Sequence, residues 1–425
     1  MDLSTVTVRA FTGGAGCGKT HQLMQSLEEH LEAMPLQDGQ KVLALTFMHG
    51  SRRRLEGRLG QLQTLRGRAE CSTIDSFAWR LVRRWLSLAS TLGFANIDPE
   101  QYEQVCDAAG ALLQHGDVCS WVAATFPILL VDEAQDMTEN RLRIVAGLAN
   151  RLEVFAAADE FQCLSEDLRP NPACAWLARV CDADDLTQPH RTNEAELIDA
   201  AATIRRGEPP NPGRVFMVTP TARPPLAGAW INSNLRWYGG GKSVAIITPT
   251  LGVFARATME WAARNTNSRG AGPYSVPWEE SEGKAGERFL DNVDFQDMND
   301  MARVIALLNV AGDFRVTQDI VDWMDVQRRT RGKTSFAKDE ITVAIKQVFA
   351  RRRRARSDGD DGWKGMTVHG AKNREFDNVI VLWPAAVGGS ADQKRRLLYN
   401  AVTRAKERCL VLVQAAAHLN QAPFA

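Results

Sequence analysis

The sequence predicts an α/β protein with two parallel sheets and small, mainly helical insertions. Three observations carry that expectation. Short apolar runs such as Ile128–Val131 recur along the chain, and such runs read as strands buried on both faces. Helix-period segments separate them, which implies parallel strands joined by right-handed crossovers. The first strand runs into a glycine-rich loop, Gly13-Gly14-Ala15-Gly16-Cys17-Gly18-Lys19-Thr20, and a helical pattern follows it.

Taken in order, Val6–Phe11 is the first strand, and Leu23, Leu27 and Leu31 mark the first helix. Lys41–Phe47 is the next strand, followed by a basic helix over Ser51–Leu62. Thr73–Leu86 reads as a turn entering an apolar, arginine-bearing helix, and about 87–120 as a short insertion. Ile128–Val131 and Leu152–Ala157 are further strands. The run Gly207-Glu208-Pro209-Pro210-Asn211-Pro212-Gly213 is a linker or surface loop. Beyond it, Arg214–Val218, Ser243–Thr248, Asn378–Trp383 and Cys409–Val413 read as strands and Leu397–Lys406 as a helix. A Gly/Ser/Asn-rich loop and two or three helices interrupt this second sheet at about 265–360. The expected domains are therefore 1–185 and 186–425.

The bulk numbers restrict the class. At 425 residues and 44% hydrophobic content, the chain can bury the cores of two or three domains. Lys+Arg and Asp+Glu are both 51, so a nucleic-acid partner needs a local basic groove, and charge alone favours an enzyme without any polyanion partner. The eight cysteines form no C-x-x-C pair, and no secretory signal is visible. They read as reduced thiols of a cytoplasmic protein. No apolar stretch is long enough to span a membrane.

The glycine-rich loop fits G-x-x-x-x-G-K-[ST]. Its backbone N–H groups can wrap phosphates, with Lys19 reaching the β- and γ-phosphates and Thr20 holding Mg²⁺. Leu129-Leu130-Val131-Asp132-Glu133-Ala134-Gln135-Asp136 supplies the facing chemistry at a strand's C-terminal end, where open α/β sheets bind ligands. Asp132 is the second group on the metal side, and Glu133 the candidate base for a water. ATP and Mg²⁺ are the implied cofactors.

With these blocks and six more in order, the chain resembles superfamily 1A helicases of the UvrD/Rep type, in a compact form with reduced 1B and 2B insertions. Thr46-Phe47 matches the family's segment after the phosphate loop, and Thr73–Phe77 resembles T-x-H-S-F with Asp75 for His. Val131–Asp136 is close to the family's acidic block, and Asp159–Gln162 resembles G-D-x-x-Q. Leu186–Thr192 resembles the block ending in N-Y-R-S, with His190 for Tyr. Thr367–Phe376 resembles T-x-H-x-x-K-G-x-E-F with Asn373 for Gly, and Arg396–Ala405 resembles R-L-x-Y-V-A-x-T-R-A. The resemblance implies two RecA-like domains facing each other across the nucleotide. It makes Arg191 and Arg404 arginine fingers, Gln162 a γ-phosphate sensor, His190 the base-stacking group and Glu375 the group at the nucleotide edge.

By family position, single-stranded DNA would run over Thr46, Phe47, Thr73, Ser76, Phe77, Thr367 and His369, with charge from Arg52–Arg54, Arg58, Arg80, Arg83 and Arg84. Phe47 and Phe77 read equally as core residues. The run Arg351–Arg354 with Arg356 reads equally as a solvated helix end or a nucleic-acid contact. The resemblance implies an ATP-dependent helicase or translocase moving 3′ to 5′. The short insertions and altered base-stacking positions keep a second reading open, a nucleotide-gated DNA-binding switch or assembly subunit beside a nuclease or repair partner.

Overall fold

The computed structural model describes residues 8–47, 49–65, 67–99, 101–279, 282–355 and 361–425, with backbone alone at 49–51, 282–284 and 350–355. The side chains of the Arg351–Arg356 run therefore lie outside the described residues. Two compact units form, one of Met1–Ser275 with Thr367–Ala425 and one of Val276–Met366.

The larger unit holds two parallel sheets. The first comprises β1 (Val8–Gly13), β2 (Val42–Thr46), β3 (Ala69–Thr73), β4 (Ile128–Val131), β5 (Glu153–Ala157) and β6 (Asp184–Leu186), in the order β3-β2-β4-β5-β1-β6. All of β2 and β4 is buried. Their alternate residues feed two cores: Leu43, Leu45, Leu129 and Val131 pack on one face, and Val42, Ala44, Ile128 and Leu130 on the other. Covering both faces excludes water from the ladder, which is why these segments read as unbroken apolar runs. The helix Lys19–Ala33 presents Leu23, Leu27 and Leu31 to the second of these cores. Burying each leucine stabilises the fold by about 2 kcal/mol.

The segment expected as an insertion folds as helices Leu86–Thr91, Tyr102–Leu112 and Gly116–Thr125, and Val105, Ala109, Leu112 and Val118 join the core of the first sheet. β3 and β6 were not legible as strands. Both are polar edge strands whose pairing is made by backbone alone.

The second sheet contains β7 (Phe216–Pro220) and β8 (Val244–Thr248). The smaller unit then carries β9 (Met298–Asp300) and β10 (Ser335–Ala337), an antiparallel pair, and most of β11 (Trp363–Thr367). Its helices Glu282–Asp291, Met301–Ala311, Phe314–Arg331 and Lys338–Ala355 close a separate core around Val304, Leu308, Ile320, Met324, Phe336 and Ile345. The chain returns to the larger unit through β12 (Phe376–Trp383) and β13 (Ala405–Val413), which complete the parallel order β8-β12-β13-β7. The helix expected over Leu397–Lys406 lies instead at Ala391–Val402, capped by the Ser390 side chain. Ala405 already pairs in β13, so the chain must leave the helix before Arg404.

Candidate functional site

The phosphate loop leaves the C-terminal end of β1. Gly16 and Gly18 both have φ of 79°, the left-handed region that glycine enters without steric cost. A side chain at Gly16 would also meet Arg191 Cβ at 2.8 Å. Gly13, Gly14, Ala15 and Cys17 complete the turn, and Gly18 caps the following helix. The Lys19 ammonium donates to Gly13 O and Gly14 O at 3.0 and 2.8 Å and lies 3.7 Å from Asp159. Thr20 Oγ1 stands 3.3 Å from Asp132 Oδ2, so the two expected metal ligands are neighbours.

Asp132 and Glu133 follow β4 directly. Glu133 sits at φ 59°, an uncommon conformation for a residue with a Cβ. Desolvation in the cleft, together with the adjoining Glu133 carboxylate, pushes the Asp132 carboxyl up to about 7. Gln135 is fully buried and joins two blocks: its Nε2 donates to Glu133, and its Oε1 accepts from Asp159 N at 2.9 Å. Asp136, also buried, pairs with Lys372 from the turn before β12. Gln162 Nε2 donates to Asp159 Oδ2 at 2.9 Å.

The two arginines come from different sheets, Arg404 directly before β13 of the second and Arg191 from the segment that follows β6 of the first. Arg404 is 1% exposed, and its donors go to neutral acceptors: Asn400 O, Arg374 O, Thr403 Oγ1 and Gln162 Oε1, the last at 3.4 Å. Burial, and then the nearby Arg191 charge, pull the guanidinium down to about 9. The nearby Glu133 and Glu375 carboxylates oppose that shift without cancelling it. Arg191 donates to Glu375 Oε1 at 2.8 Å and to Thr403 O at 2.7 Å. Glu375, expected at the nucleotide edge, is thus engaged by an expected arginine finger; against burial, Arg191 and Lys406 hold its carboxyl low. The His190 N–H donates to Gly16 O at 2.7 Å, which places that residue on the phosphate loop.

The expected strand track is partly assembled. Thr46 and Thr73 are paired in register at the ends of β2 and β3, although Thr46 is fully buried. Thr73 caps the helix Ile74–Arg84 by accepting from Ser76 N, and Ser76 is exposed. Phe47 is 36% exposed with the Arg141 guanidinium 5.2 Å from its ring centre. Phe77 is a correction: at 3% exposure it packs into the core of the first sheet, because its position on the helix faces inward, and it offers no ring to a strand. Thr367 Oγ1 accepts from Gly370 N at 3.2 Å, and His369 is exposed. Arg83 and Arg84 are exposed, while Arg80 is engaged by Glu70.

Two family models match the regions that hold these groups. Residues 3–167 match an AAA domain, and residues 366–412 match the UvrD-like helicase C-terminal domain. These matches support a UvrD-like superfamily 1 helicase. Comparison with curated proteins finds no match. Among solved structures, the Arterivirus nonstructural protein 10 (helicase) is similar with TM-score 0.42 and 11% identity, over 99% of this chain and 66% of that one. The complex of Arterivirus nonstructural protein 10 with DNA gives 0.40 and 12%, over 98% and 63%. The PRRSV helicase gives 0.42 and 12%, over 99% and 56%. The chain thus spans 56 to 66% of the length of these structures.

Sequence reasoning missed two members of this site. The Tyr399 hydroxyl accepts from Ala15 N at 2.7 Å, directly on the phosphate loop. Tyr399 lies inside the Arg396–Ala405 block, so its motif position was the available signal. Arg205 donates to Asp159 Oδ1 at 2.8 Å and reaches Tyr399 at 3.4 Å. It lies on the helix Ala195–Arg206, whose sequence carries no motif at that point.

Proposed function

We propose that the chain is a nucleic-acid-stimulated ATPase that moves along single-stranded DNA, with 3′-to-5′ direction as in the family it resembles. One observation carries the reading. Lys19 of the phosphate loop, beside the Thr20–Asp132 pair of the first sheet, is linked through Asp159 and Gln162 to the buried Arg404 of the second. A site made by one sheet would support nucleotide binding; a site completed by two supports work coupled to hydrolysis.

The donor set fits magnesium nucleotide. Asp132 is a carboxylate destabilised by its surroundings and set beside a hydroxyl, which suits a hard divalent cation with oxygen ligands. Bound by Thr20 and Asp132, Mg²⁺ would polarise the β- and γ-phosphate oxygens. The rest belongs to the chain. Glu133, steadied by Gln135, orients a water and accepts its proton on a carboxylate oxygen. Lys19 exchanges its two carbonyl partners for phosphate oxygens. Arg404 and Arg191 neutralise charge that develops on the transferred group, a role suited to a forked, permanently charged guanidinium. Gln162, bonded to Asp159 and close to Arg404, links the occupancy of that position to both sheets. Loss of the γ-phosphate would release the arginines and reset the contacts along the strand track.

Lys19→Ala and Glu133→Gln should each abolish strand-stimulated ATP turnover. The companion measurement is displacement of streptavidin from biotin at either end of a single strand. ATP-dependent displacement from the 5′ end alone is expected for a motor travelling 3′ to 5′. Hydrolysis without displacement from either end would replace the motor with the nucleotide-gated switch.

A further inference from the structure

We propose that Arg141 is a positioning residue that fixes the Phe47 ring as a base-stacking platform, through an ion-pair network with Asp75 and Glu103. The inference rests on the reading that Phe47 lies on the single-strand track.

Arg141 is 6% exposed, and all three of its guanidinium nitrogens are engaged. Asp75 Oδ1 accepts from Nε and lies equally close to Nη2, at 2.9 Å each. Nη1 donates to Glu103 Oε1 and to Thr138 Oγ1. Asp75 is itself held by the Cys106 thiol, 3.4 Å away. With its donors held by these acceptors, the guanidinium carbon lies over the Phe47 ring, 5.2 Å from its centre. A cation held over an aromatic face is attracted to it, which restricts the tilt of the ring. The ring's remaining 36% exposure makes it an aromatic group braced from below and open to solvent. That is the disposition single-strand binders use to stack bases.

Asp75 occupies the position where the resembled block has His, so a full negative charge stands where a neutral ring would be, and Arg141 answers it. Glu103 comes from the helix Tyr102–Leu112, within the segment expected as an insertion. The insertion therefore supplies part of the brace. Arg141 lies on the helix Glu139–Ala149, which begins just after Asp136 of the acidic block.

The test uses the full chain and an oligodeoxynucleotide carrying 2-aminopurine, whose fluorescence falls when it stacks on an aromatic ring. Phe47→Ala and Arg141→Gln should each remove the quenching and raise the strand concentration for half-maximal ATPase stimulation by about fivefold or more. The stimulated plateau should change far less. Combined, the two substitutions should do no more than Phe47→Ala alone. Wild-type quenching and affinity in Arg141→Gln, or additive effects in the double variant, would overturn the positioning role. Unchanged binding in Phe47→Ala would instead remove Phe47 from the track. If Arg141→Gln does not fold, Asp75→Asn is measured in its place: loss of quenching is expected, and wild-type behaviour overturns the proposal.

Discussion

Arg404 carries a charge into the interior, and its hydrogen bonds there go to neutral oxygens. Its proposed role in hydrolysis makes a sharp prediction. Arg404→Ala and Arg404→Lys should both lower the ATPase kcat by about 10³-fold, while nucleotide affinity changes much less. Lysine keeps the charge but loses the fork, so its failure to rescue distinguishes bidentate phosphate contact from simple neutralisation. Equal kcat in Arg404→Lys and wild type would argue for neutralisation alone. At this scale the sequence was informative wherever chemistry demands one residue type at one spacing, as at Gly18-Lys19-Thr20 and Asp132-Glu133. Asn373 extends the point. It has φ of 62° where the resembled block has glycine, and asparagine is among the few side chains that tolerate that conformation. Arg205 had no such signature, since its partners Asp159 and Tyr399 come from distant parts of the chain.

At the scale of elements, β2 and β4 were legible because both faces are buried and the composition records it. β3 and β6 were not, because an edge strand with polar residues is specified by the neighbour it pairs with. The helix Ile74–Arg84 shows the limit within a single motif. Ser76 and Phe77 are adjacent in the T-x-H-S-F-like block, yet one faces solvent and the other the core. Helical geometry separates neighbours by about 100° around the axis, and a motif does not state which side is buried. Phe77→Ala should therefore cost about 3–5 kcal/mol of stability, measured by denaturant unfolding. Unchanged stability with weakened strand binding would reverse its assignment to the core.

At the scale of the whole molecule, the two sheets of the larger unit are joined by the buried Lys372–Asp136 pair. Burial pushes the Asp136 carboxyl up, and the Lys372 ammonium beside it works the other way. Removing one partner strands a charge in the interior. Lys372→Met should destabilise the larger unit by about 3–5 kcal/mol, and adding Asp136→Asn should recover part of that loss. A double variant less stable than Lys372→Met would exclude the ion-pair account. Among the described residues no helix is long and apolar enough to cross a membrane. The sequence alone determined the α/β class, the phosphate loop, the acidic strand end and the order of the blocks. Each of these depends on local composition or on spacing within a few residues. Only the tertiary structure decided that Asp136 faces Lys372, that Tyr399 touches Ala15, that Arg191 engages Glu375 and that Arg141 lies beneath Phe47. Those contacts join segments far apart in the chain, and a side chain's partner across such a distance is fixed by how sheets and helices pack, which no local pattern encodes.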